Sequence, residues 1–360
     1  MAPPADGETS DAPAWAGGLD GYMARTLRRL GAGTLPAHLE REYGIQVSGV
    51  TELDVGVVRV DRQDGPSWVA RVFPADRPLE AVEGDARILS ALQRQGFPAE
   101  RCASPHPVSV HEGQGVLVTE WVAGERAEGR GHTFGVLGAL LGALHARSAT
   151  VAVPMRRGGA WHHLCPADGP RDEIAAAVAL LDAARDRLPG EHAPLVAALR
   201  DELLRSDDCE DLPQALLHPD FVPVNAVQTA EGRLVMVDWT GAGRGPRLWS
   251  LAFLLWAAGV RDLRLVDAAV SHYRRHLLPE AGELERLASA MLTRPLVLDC
   301  WAVCVGRRSL PDVVRDLPAR EHLTQAIAAR ARQGFAGSPA GDGVSPPAPP
   351  RREGASPAST

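Results

Sequence analysis

Residues 216–240 read LLHPDFVPVNAVQTAEGRLVMVDWT. Two short apolar segments flank a loop that carries His218, Asp220 and Asn225, and Asp238 follows the second segment directly. The surrounding sequence has helical periodicity, at about 171–187 and 192–206 before this stretch and 247–259, 262–277, 282–305 and 311–333 after it. Residues 215–238 are therefore a small β insert within a helical region. Toward the N-terminus one more helix is expected at 132–149, and then the texture changes. Short β-like runs occur at 45–53, 55–60, 68–73, 107–111 and 116–121, with turn signals such as Asp64-Gly65 between them and one helix at 79–95. Two short helices precede them within 20–43. The pattern predicts an α+β chain of two lobes, a small antiparallel β lobe over residues 19–121 and a larger, mostly helical lobe over 122–334. The connector falls near 120–125, and ligands favour the cleft between such lobes. The ends, 1–18 and 335–360, are dominated by Gly, Pro, Ala and Ser and are expected to be disordered tails.

Composition excludes several functions. The 360 residues carry a net charge of −7, which disfavours nucleic-acid binding through phosphate neutralisation. No apolar run approaches the roughly 20 residues of a membrane span, and the first twenty residues hold neither a basic start nor an apolar stretch. A cytoplasmic protein is expected, with no membrane, nucleic-acid or obligate protein partner. All 38 basic residues are arginine. A lysine-free chain forms no Schiff base through lysine and is no Walker-type P-loop enzyme. GxGxxG, HExxH and GxSxG patterns are absent, and the adjacent His162 and His163 diverge too far to share a metal. The five scattered cysteines suggest reduced thiols, with Cys300 and Cys304 packed in a core.

The pattern HxDxxxxN at His218, Asp220 and Asn225, followed by Asp238 before Trp239, resembles the aminoglycoside phosphotransferase family of the protein-kinase-like superfamily. The single asparagine of the chain stands at the one position this pattern requires. The resemblance extends more loosely over about 45–260. It implies a two-lobed protein-kinase-like fold and a small-molecule kinase that moves the γ-phosphate of ATP or GTP to a hydroxyl. Such chemistry needs a carboxylate for the attacking hydroxyl and Mg2+ on the phosphates, held by hard oxygen ligands. Asp220 would be the base, Asn225 and Asp238 would hold Mg2+, and His218 is a structural anchor of the loop.

The small lobe should grip the nucleotide. In the family a basic residue on a central strand contacts the phosphates and pairs with an acid on the lobe's helix. Arg71 of SWVARVF takes the strand position. At 100° per residue, Leu79, Val82, Ala86, Leu89 and Leu92 form one apolar stripe that contains Asp85, while Glu83 lies at its edge. A buried carboxylate needs a cation. Asp85 is therefore the expected partner of Arg71, with Glu83 as the alternative; on the simplest view Glu83 pairs on the surface with Arg87. The phosphate-covering loop would be DVGVVRV with its single Gly56. In VLVTEWVAG, backbone groups of about Glu120, Trp121 and Val122 would meet the purine edge, although Trp121 reads equally well as core. Ser250 stands where relatives often carry Asp, which puts a structural hydrogen bond in doubt.

Only nine residues separate Asp238 from Leu248, too few for the peptide platform of a protein kinase. A second alternative is a degenerate nucleotide-binding relative with a regulatory or scaffolding role, favoured by the absent lysine and the thin glycine loop. The acceptor implied by the resemblance is an antibiotic-like molecule or metabolite with a free hydroxyl. The acids Asp207, Asp208, Glu210 and Asp211 form a solvated loop on the simplest view.

Overall fold

The computed structural model describes residues 20–21, 28–148, 158 and 169–337. The N-terminal tail, most of the first expected helix, His162, His163, Cys165 and the chain beyond 337 lie outside the described residues. The small lobe begins with α1 (Leu35–Tyr43) and continues through β1 (Val47–Asp54), β2 (Val57–Arg62) and β3 (Trp68–Val72). Helix α2 (Leu79–Arg94), β4 (Val108–His111) and β5 (Gln114–Glu120) complete it. The five strands form one antiparallel sheet in the order β1-β2-β3-β5-β4. Between β1 and β2 the turn requires Gly56: its φ is +71°, and a Cβ there would stand 2.5 Å from the Val72 carbonyl. Val82, Ala86, Leu89 and Leu92 of the predicted stripe are buried, and Asp85 is fully buried with them; Leu79, at the helix start, is exposed. The Glu83–Arg87 surface pair forms at 3.5 Å.

The large lobe opens with β6 (Glu125–Arg126) and the helices α3 (Gly131–Ser148), α4 (Pro170–Ala184) and α5 (Ala193–Arg205). The β insert follows as β7 (Gln214–Leu217), β8 (Ala226–Gln228), β9 (Leu234–Met236) and β10 (Gly243–Pro246). β8 pairs with β6 and β9, whereas β7 pairs antiparallel with β10. The sequence GRGP of β10 has no period-two pattern and was not foreseen as a strand. Four helices end the lobe: α6 (Arg247–Gly259), α7 (Leu263–Tyr273), α8 (Ala281–Cys304) and α9 (Leu310–Ala336). α9 runs on past the expected start of the C-terminal tail at 335. Its N-terminus is capped by Ser309, whose hydroxyl accepts from the Asp312 N–H, and α8 begins with a Glu280–Glu283 capping box. α8 alone among the described helices has the length and apolarity of a membrane span, but 72 % of that stretch is buried inside the protein. Cys300 and Cys304 lie there, their thiols donating to the Ala177 and Leu180 carbonyls of α4. One apolar core is continuous from α2 and β5 of the small lobe to Trp239, α3, α6 and α7 of the large one.

Helices α3 and α7 touch at backbone distance, because a Cβ on Gly138 would fall 2.2 Å from the Ala269 carbonyl. At this contact the buried His145 Nδ1 lies 2.9 Å from the Tyr273 hydroxyl. Burial, with a smaller contribution from Arg247, pushes the pKa of His145 down to about 3. A base whose folded pKa lies below its unfolded value supports the fold fully above about pH 6.5 and loses that support as pH falls. At pH 5 the loss from this residue is about 2 kcal/mol. Denaturant midpoints measured from pH 7.5 to 5 should therefore fall, and His145→Gln should flatten the decline.

Candidate active site

His218 leads out of β7 and is fully buried. Its Nε2–H donates to the Val237 carbonyl at 3.0 Å, and its Nδ1 accepts the Asp220 N–H at 3.1 Å. Burial lowers the His218 pKa, so the ring stays neutral in this arrangement. The imidazole thus fastens the loop to the end of β9 and acts as an anchor, not as a proton carrier. Asn225 closes the same loop: its Nδ2–H donates to the Asp220 carbonyl at 3.1 Å, and its own carbonyl accepts from Val237. Among the described residues the Asn225 amide oxygen accepts no hydrogen bond. Ser250 repairs the departure noted in the sequence, donating its hydroxyl to the His218 carbonyl at 3.0 Å.

Asp220 is about one third exposed, and its Oδ1 accepts from Nη2 of Arg294 at 2.7 Å. Arg294, on α8, is buried and is held on its other side by the fully buried Glu173 of α4 at 3.1 Å. Neither residue was foreseen, since 74 residues separate Arg294 from Asp220 and only the packing of α8 brings them together.

Asp238 has the left-handed φ of +64°, uncommon for a residue with a side chain. Its backbone N–H donates to Oε1 of Glu100 at 2.8 Å, as does that of Trp239 at 3.3 Å. Oε2 of Glu100 accepts from Arg71 Nη1 at 2.9 Å and from the Thr119 hydroxyl at 3.0 Å. Arg71 therefore pairs with Glu100, which corrects the expected pairing with Asp85. Residues 98–100 run alongside the end of β9, with Glu100 N–H on the Met236 carbonyl, and this path carries the Glu100 carboxylate under β3. Asp85 instead accepts from Arg77 at 2.9 Å and from the Gly241 N–H at 3.2 Å. The buried carboxylate did require a cation, but the nearer one in the turn before α2 supplies it. Asp85 thus belongs to the joint between lobes and lies off the Arg71 contact. Burial alone would lower the Arg71 pKa; Glu100 and then Asp238, whose Oδ1 is 3.7 Å from Arg71 Nε, outweigh it. Withdrawal from water raises the Asp238 pKa, with Arg71 opposing.

Gly56, Arg71, Asp238 and Thr240 line one cleft of about 170 Å³, closed from the large lobe by Trp301 and Arg307. Glu120, Trp121 and Val122 line a separate cavity of about 310 Å³. Two of their N–H groups are already used, that of Glu120 by Arg101 and that of Trp121 by Ser67. Among the described residues the Val122 N–H has no partner. Trp121 is half-buried beneath Arg59, 4.9 Å from its ring centre. The acidic loop is paired and not merely solvated: Arg286 of α8 holds Asp207 and Asp211, and Arg171 holds Asp208.

No curated protein sequence matches this chain. Solved structures do, at low identity. An aminoglycoside phosphotransferase from Alicyclobacillus acidocaldarius is 20 % identical with a TM-score of 0.55, covering 85 % of this chain and 99 % of its own. An amicoumacin kinase solved with AMP-PNP, Ca2+ and Ami is 14 % identical with a TM-score of 0.59, covering 82 % and 93 %. The choline kinase of Streptococcus pneumoniae is 15 % identical with a TM-score of 0.55, covering 84 % and 98 %. At such identities the likeness speaks for the fold alone, here the two-lobed kinase-like α+β fold. The model of the phosphotransferase enzyme family matches residues 51–289, two thirds of the chain and all of the elements that carry Arg71, Asp220, Asn225 and Asp238. The chain belongs to the phosphotransferase enzyme family.

Proposed function

We propose that the protein is a cytoplasmic small-molecule kinase, transferring the γ-phosphate of ATP or GTP to a hydroxyl with Asp220 as general base. One observation carries this reading: a single buried histidine ties the loop that bears Asp220 and Asn225 to the strand end that directly precedes Asp238. Asp220 is held by Arg294 through one oxygen, which leaves the other to orient and deprotonate the attacking hydroxyl. Asn225 and Asp238 offer the hard oxygens that Mg2+ prefers, and the donor set fits that ion. Bound there, the ion would offset charge on the phosphates during transfer. Arg71, anchored by Glu100 and lining one cleft with Asp238, would present its remaining N–H groups to phosphate oxygens. The Val122 N–H supports a purine contact at the connector. Free thiols at Cys102, Cys209, Cys300 and Cys304 support a reducing compartment.

The acceptor class is an alcohol on an antibiotic-like or metabolite molecule, with resistance or self-protection as one setting. Neighbours named for aminoglycosides, amicoumacin and choline set the range. Nucleotide consumption should appear only with Mg2+ and with one member of a panel of aminoglycosides, peptide-like antibiotics and amino alcohols. No turnover with any acceptor, in a protein that still binds nucleotide, would favour the scaffolding alternative. Asn225→Ala and Asp238→Ala should each shift the Mg2+ titration to higher concentration, Asp238→Ala the further because it removes the formal charge. If neither curve moves, the metal is held elsewhere.

A further inference from the structure

The cleft that holds Gly56, Arg71 and Asp238 is closed by two residues from outside the catalytic loop, Trp301 and Arg307. Trp301 is in the last turn of α8, and Arg307 follows the helix by three residues. Gly306, at φ +75°, reverses the chain, and the N–H groups of Arg307 and Arg308 both donate to the Ala302 carbonyl, at 2.7 and 3.1 Å. The backbone of Arg307 is therefore fixed by the helix end. Its guanidinium lies 4.7 Å from the Trp301 ring centre. Stacking occupies one face of the guanidinium and leaves its N–H edge to bond an anion in the plane.

The other arginines of the region are already engaged. Arg71 is on Glu100, Arg29 donates its Nε–H to the Val72 carbonyl, and Arg308 pairs with Asp299 and Asp316. Among the described residues Arg307 has no carboxylate partner. It lines the same cleft as the small lobe's turn at Gly56 and as Arg71 and Asp238. An oriented cation without a counter-charge, placed opposite a phosphate-covering turn, suits a doubly charged terminal phosphate. The same helix supplies Arg294 to Asp220, thirteen positions earlier in the chain.

We propose that Arg307 binds the terminal phosphate of the nucleoside triphosphate and stabilises its charge during transfer, with Trp301 holding the guanidinium in place. This rests on the kinase reading above. In that step the acceptor hydroxyl oxygen bonds to the γ-phosphorus and the bond from that phosphorus to the β–γ bridging oxygen breaks. The hydroxyl proton passes to Asp220, and the nucleoside diphosphate leaves with the bridging oxygen. Because the diphosphate lacks the group that Arg307 contacts, the residue should discriminate between the two nucleotides.

Calorimetric titration of the full chain with AMP-PNP and with ADP, both with Mg2+, tests this. Arg307→Gln should weaken AMP-PNP binding roughly ten- to hundredfold, as expected for loss of a charged hydrogen bond to phosphate. ADP affinity should stay within twofold, and Arg307→Lys should recover part of the loss. Measuring both ligands on one preparation separates a lost contact from a lost fold, since misfolding lowers both. Equal losses for AMP-PNP and ADP, or no loss for either, would overturn the role of Arg307 while leaving the kinase reading intact. Wild-type protein that binds neither nucleotide would overturn the kinase reading and this role with it.

Discussion

Asp220→Asn should abolish phosphate transfer while nucleotide affinity stays within a few-fold of wild type. The substitution keeps the shape of the side chain, and the amide oxygen can still accept from Arg294, so the buried Arg294–Glu173 pair is not orphaned. The Asp220 N–H bond to His218 belongs to the backbone and is untouched. What disappears is the second carboxylate oxygen that would take the acceptor's proton. General-base loss alone lowers the rate roughly 10²–10⁴-fold, and poorer placement of the hydroxyl adds to that. Turnover of the accepted substrate and calorimetric binding of AMP-PNP, measured on both proteins, check it. Turnover within a few-fold of wild type would remove Asp220 from the role of base.

What could be read from the sequence was what lies close along the chain. His218, Asp220, Asn225 and Asp238 fall within about twenty residues, so one loop and one short strand bring them together. The alternation of short β runs and one helix before residue 121 was enough for a β-rich lobe, because each run matches the period of its element. The helical phase of 79–95 also placed Asp85 correctly on a buried face. The phase could not identify its cation, since that depends on how the turn before the helix folds back. Arg77, eight residues upstream in PADRP, was the available signal: a short carboxylate reaches a near neighbour before a strand across the lobe. Glu100 and Glu173 left no such trace. Each is a single acid in unremarkable surroundings, and each becomes essential only when distant segments pack, with 138 residues separating Glu100 from the N–H of Asp238. Ser250 is a similar case, a departure from the expected residue type that still supplies a hydrogen bond to the catalytic loop.

Glu100→Ala should be among the most damaging single changes outside the catalytic loop. The Glu100 carboxylate is 3 % exposed and serves four donors: the Arg71 guanidinium, the Thr119 hydroxyl and the N–H groups of Asp238 and Trp239. Removing it leaves Arg71 buried with Asp238, at 3.7 Å, as its nearest remaining carboxylate, and removal of one partner from a buried ion pair costs about 3–5 kcal/mol. The left-handed backbone at Asp238 also loses the bond that holds it, so the carboxylate proposed for Mg2+ would no longer be fixed. Denaturant unfolding should show the loss in stability, and nucleotide binding should weaken together with the apparent Mg2+ affinity. Arg71→Met should also destabilise the fold, but the double variant should be less damaged than the two single losses added together, because no unpaired charge remains. Asp85→Ala provides the contrast. It breaks the bonds to Arg77 and Gly241, so it should lower stability while coupling to Arg71→Met far less than Glu100→Ala does, since Asp85 acts on Arg71 only through space and more weakly than Glu100. Strict additivity between Glu100→Ala and Arg71→Met would mean that the two side chains act independently, and the phosphate grip would then have to be assigned to Arg71 alone.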